Sequence, residues 1–143
     1  MKANEREKPA LWRQTGGVAG RQCTDRSHRS GTRISRASAI TENGCLRILS
    51  RPGYPYPGLT VARVRDIMNE LRRAEGHRFW QDSVSLLDAS QVELADVVAK
   101  NLTDLYLLRL AATRGGRLIT FDRTVRWEWV TGCGPADLEV LTG

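Results

Sequence analysis

Asp104 and Asp122 bracket the most strongly patterned stretch of this chain, NLTDLYLLRLAATRGGRLITFDR at 101–123. Two carboxylates held close together repel, and a divalent cation relieves that repulsion. Mg²⁺ and Mn²⁺ favour such hard oxygen ligands. The chemistry this pair offers is therefore cation binding, provided that the fold brings the two side chains to one place.

The intervening residues say how it would. Leu102, Leu105, Leu108 and Ala112, with Tyr106 and Leu110 beside them, recur at helical spacing. Asn101 or Thr103 suits the helix N-cap, Arg114 falls in the last turn, and Gly115 or Gly116 supplies a left-handed stop. Residues 118–121, LITF, are a short apolar, β-rich run suited to a covered strand of a parallel sheet. A helix of roughly 12 residues travels back about 18 Å. A strand of roughly 5 residues returns about 16 Å. The start of the helix and the end of the strand then meet at one edge, where open α/β sheets bind ligands. Each aspartate alone has a plain structural duty, Asp104 in a capping box and Asp122 in a turn. The pair, placed by one strand–helix–strand argument, points to function.

The 143 residues suit one domain with a real core. No apolar run approaches the ~18 residues that span a membrane, and no secretory h-region opens the chain. Cys23, Cys45 and Cys133 are isolated, as are His28 and His77, which argues against a zinc site and a disulfide scaffold. The expected compartment is a reducing cytoplasm. The net charge of +6 sits wholly in residues 1–38; the rest of the chain balances its acids and bases. That first segment has few large apolar side chains and no period of 2 or 3.6, so it is expected to be disordered. A basic tail binds nucleic acid through phosphates, but no aromatic residues interleave with these arginines.

From Ser38 the texture changes. Residues 39–50 read as a helix with Ile40, Cys45, Ile48 and Leu49 on one face, Ser38 as cap and Glu42 in the first turns. RPGYPYPG at 51–58 is a stiff loop. Thr60 caps an amphipathic helix carrying Val61, Val64, Ile67, Met68 and Leu71, which Gly76 ends. A second short strand is expected at 84–87 before Asp88, whose D-A-S setting suits a loop. A last strand is expected at 138–141. The expected architecture is α/β, a three-layer α/β/α domain on a short, mostly parallel sheet.

Three motifs in order, I-T-E-N-G at 40–44, L-T-D-L-Y-L at 102–107 and G-G-R-L-I-T-F-D at 115–122, with F-W-Q-D-S-V-S-L-L-D at 79–88 between them, carry a resemblance. Residues 39–143 resemble the PIN-domain family, and within it the VapC-type toxins of bacterial toxin–antitoxin pairs. The resemblance implies a Mg²⁺- or Mn²⁺-dependent endoribonuclease, with Glu42, Asp104 and Asp122 as the metal-holding, catalytic acids. It also implies an RNA substrate, a cognate VapB-like antitoxin and pairing as a homodimer, with no membrane. Glu42 enters mainly through this resemblance.

One departure matters. Family members open with an apolar strand that ends in an aspartate written D-x-N or D-x-S, and nothing in 1–38 reads as that strand. Asp25, in C-T-D-R-S-H, has the letters, yet it lies too close to Glu42 for the intervening hairpin and is rejected as the first acid. Residues 1–38 are thus expected to be non-family sequence, of the kind a shifted reading frame or mis-chosen start produces, before a PIN-like domain at 39–143 that lacks its N-terminal strand. The activity is expected to be impaired. The alternative is a non-catalytic PIN protein that binds an antitoxin or another PIN chain.

Overall fold

The computed structural model describes residues 22–25, 36–56 and 58–142. Most of the segment expected to lack periodic order therefore lies outside the described residues. Two pieces of it are strands: β1, Gln22–Asp25, and β2, Arg36–Ala37. Three helices follow in chain order, α1 at Ala39–Leu49, α2 at Val61–Arg73 and α3 at Leu102–Thr113. Strand β3, Arg78–Phe79, follows α2; β4, Gly116–Thr120, follows α3; β5, Leu138–Val140, comes last.

The result is a mixed α/β fold with short parallel pairings. Strands β2 and β3 pair in parallel, as do β4 and β5, while β1 lies antiparallel on the other side of β4. The expected strand at 84–87 does not form. The chain leaves the sheet after β3, where the Trp80 amide donates to the Ala37 carbonyl at 2.7 Å, and Leu87 is 93% exposed. Strand β4 begins two residues earlier than expected and ends one earlier, which leaves Phe121 beyond it and exposed.

The caps are local. Ser38 is extended at the α1 N-cap, where its amide donates to the Thr41 hydroxyl at 2.8 Å. That hydroxyl donates back to the Ser38 carbonyl at 2.9 Å. The Thr60 hydroxyl accepts the Arg63 amide at the start of α2. Helix α2 stops at Arg73, and Gly76 follows with φ of +81°, in the left-handed region that suits glycine.

Helix α3 is the axis of the core. Asp104, Leu105, Leu107, Leu108, Leu110 and Ala111 are all buried. Its apolar residues do not form one stripe, as suits a helix covered on more than one side. Leu105, Leu107, Leu108 and Ala111 pack with Leu118, Val92, Val125, Trp129 and Val130. Leu107 and Leu110 also line a small cleft with Ala37, Thr41 and Trp80. Leu102, expected on the buried face, is 40% exposed. No described helix is long and apolar enough to cross a membrane.

Between α2 and β3, His77 is half-buried, and its pKa is lowered by desolvation and then by the Arg72 and Arg36 charges. The unfolded chain therefore takes up a proton near pH 6.5 that the folded chain resists. This histidine costs nothing above that pH, and stability should fall as pH drops below it. In urea melts at pH 7.5 and 5.5, His77→Gln should lose less stability on acidification than the wild type.

Candidate metal centre

The acid pair is positioned by two element ends. Asp104 sits in the first turn of α3 and is wholly buried. Asp122 lies just past β4, with its amide donating to the Thr120 hydroxyl at 3.1 Å. Side-chain contacts tie the two element ends together. Buried Asn101, at the N-cap of α3, donates its Nδ2 proton to the Thr124 hydroxyl at 2.9 Å. Thr124 in turn donates to Asp122 Oδ1, from its hydroxyl at 2.7 Å and from its amide at 2.8 Å. Asp104 is three residues after Asn101, on the same side of the helix. The start of α3 and the end of β4 thus share one edge, as the strand–helix–strand geometry requires.

Glu42 is placed differently. It lies in the first turn of α1, and its carboxylate faces Arg72 of α2 at 3.4 Å. The Arg72 guanidinium also stacks over Phe79, 5.3 Å from the ring centroid. Among the described residues no three His, Cys, Asp or Glu side chains lie close enough together to hold a metal ion. Asp88 makes an exposed turn, accepting the Ser90 amide at 3.1 Å and the Ser90 hydroxyl at 2.6 Å. Asp25 pairs in register with Gly116, at the beginning of β4, so the antiparallel direction of β1 carries it to the opposite edge from Asp122.

What the edge can do follows from its donors. Asp104 and Asp122 offer carboxylate oxygens, the ligands Mg²⁺ and Mn²⁺ prefer, and Mg²⁺ is commonly held by one or two carboxylates with water filling the other positions. In donor type, though not in number, the pair matches what such a cation takes. Tyr106, two residues beyond Asp104, is pushed up to about 12 by burial and by the neighbouring Asp82 carboxylate, so it stays protonated at neutral pH and is no base. Asn101 and Thr124 were legible only in part. Asn101 reads as a helix cap and Asp122-Arg123-Thr124 as a turn, but their contact spans 23 positions and has no local signal.

The described residues form a mixed α/β domain in which Asp104 and Asp122 lie on element ends that share one edge. Known proteins carry the assignment further. The chain is 36% identical over 104 residues to Ribonuclease VapC44 of Mycobacterium tuberculosis, covering 72% of each chain. It is 41% identical over 86 residues to Ribonuclease VapC38 of the same species, covering 60% of each. It is 38% identical over 85 residues to Ribonuclease VapC39, covering 58% of this chain and 60% of that one. No family model and no solved structure matches. The chain belongs to the VapC family of PIN-domain ribonuclease toxins.

Proposed function

We propose that this chain is a Mg²⁺- or Mn²⁺-dependent endoribonuclease by descent, with Asp104, Asp122 and Glu42 as its metal ligands, and that its own activity is impaired. The observation that carries the reading is the Asn101–Thr124–Asp122 bridge, which supports a shared edge for the two aspartates in a chain of this family. The bound cation would supply an activated water and charge stabilisation at a phosphodiester. Asp104 and Asp122 hold it, and Glu42 completes the set once it leaves Arg72.

Impairment follows from what the edge lacks. Glu42 is engaged with Arg72, and Asp25 lies at the far end of β4. Among the described residues no fourth acid takes the place of the aspartate that opens family members. The segment at 1–38 is non-family sequence, and 39–143 is the PIN-like domain, in three α/β/α layers, with no apolar first strand among the described residues that ends in an aspartate at this edge. The protein acts in the cytoplasm on RNA, with a VapB-like antitoxin as partner. In Mg²⁺, the full chain should cleave RNA at least ~100-fold more slowly than VapC44 assayed beside it, since even outer-shell losses at metal sites cost 10–100-fold. Asp104→Asn should remove whatever Mg²⁺-dependent cleavage remains. Cleavage at the relative's rate would refute impairment, and cleavage indifferent to Asp104→Asn would refute the site.

A second reading, a non-catalytic binder of antitoxin or of another PIN chain as a homodimer, is favoured by the apolar side chains left exposed where α1 and α2 begin, Ile40 at 37% and Val61 at 59%. A charged substitution at either position should weaken capture of the antitoxin if that helix end binds it.

A further inference from the structure

The geometry points to Asn101 and Thr124 as positioning residues that fix the carboxylate of Asp122 for a cation, an inference that rests on the metal site proposed above. A turn following an aspartate needs only one bond, from the amide two residues on to the carboxylate. That bond is present, from the Thr124 amide to Asp122 Oδ1 at 2.8 Å. The Thr124 hydroxyl donates to the same oxygen at 2.7 Å, as the Ser90 hydroxyl does to Asp88; what sets the Asp122 turn apart is that the donor to its hydroxyl, Asn101, is buried and comes from the start of α3.

A hydroxyl has one proton and rotates to suit its surroundings. Here its direction is set from across the edge. Asn101 Nδ2 can only donate, and it donates to the Thr124 hydroxyl oxygen at 2.9 Å. The oxygen thus accepts from Asn101, and its single proton is committed to Asp122. Asn101 is 1% exposed, so its rotamer is locked by packing, whereas Thr124 is exposed. The buried member orients the exposed one, and the exposed one orients the carboxylate. Outer-shell partners of this kind hold a ligating carboxylate in place and keep its charge directed at the cation.

The plain alternative is a staple that joins α3 to the loop after β4 and has no bearing on the metal. Equilibrium Mn²⁺ titration of the full chain, followed by calorimetry, separates the two. Thr124→Val removes the hydroxyl at an exposed site and should weaken Mn²⁺ about 10-fold, while Thr124→Ser should keep wild-type affinity. Asn101→Leu should weaken Mn²⁺ to a similar degree, and the double variant Asn101→Leu/Thr124→Val should be no weaker than either single one. Wild-type affinity in Thr124→Val, or losses that multiply in the double variant, would overturn the relay. If Asn101→Leu does not fold, the Val and Ser variants at 124 decide alone. Asp122→Asn distinguishes the levels: Mn²⁺ binding unaffected by it overturns the metal site and the relay together. Binding lost there but kept in Thr124→Val overturns the relay only.

Discussion

Truncating Leu107 to alanine should cost this domain about 2–5 kcal/mol, as much as truncating its neighbour Leu108. The two side chains leave α3 about 100° apart, and with Leu105 and Leu110 the buried side chains span about 220° of the helix, more than the stripe of one covered face. Here both are buried, at 1% and 0% exposure. Leu107 is shared between the main core and the cleft beside Thr41 and Trp80, and Leu108 belongs to the core with Leu118 and Trp129. Leu102→Ala, at 40% exposure on the same helix, should cost under about 1 kcal/mol. With an urea m-value of roughly 1–3 kcal/mol/M, the buried truncations should lower the denaturation midpoint by about 1 M or more. Equal, small shifts at 107 and 102 would mean that α3 is a surface helix.

That contrast shows where sequence pattern stops being informative. The existence of α3, its glycine stop and the strand after it were legible, because Leu105, Leu108 and Gly115 carry local signals. Which side of α3 faces water was not legible. Leucines at 102, 105, 107, 108 and 110 surround the helix, and only the arrival of other elements decides among them. Strand positions depend even more on partners. The run Val84–Leu87 has better strand chemistry than Arg78 and Phe79, yet β2 offers pairing only to the latter. Strand β1 forms from residues with no apolar run because the free side of β4 accepts them. At the candidate site, the shared edge of the α3 start and the β4 end followed from the lengths of one helix and one strand. The engagement of Glu42 with Arg72 did not, since nothing within either helix announces a partner thirty positions away.

The burial of Asp104 leads to the other large expected effect, a stability change whose sign depends on the cation. Asp104 is wholly buried, and a second carboxylate at the same edge adds a repulsion that a bound cation relieves. Asp104→Asn keeps the shape and deletes the charge. In chelator, the variant should melt at or above the wild-type temperature. With Mn²⁺ the order should reverse. A cation that binds only the folded chain stabilises it by about 2.7 kcal/mol at a hundred times its dissociation constant, and the wild type should rise accordingly, by several degrees for a domain of this size. Asp104→Asn has lost a ligand and should barely move. The crossing of the two melting temperatures is the signature of an aspartate kept for a ligand at the expense of the apoprotein. A variant that melts well below the wild type in chelator, with an unchanged response to Mn²⁺, would make Asp104 a structural residue of the first helical turn.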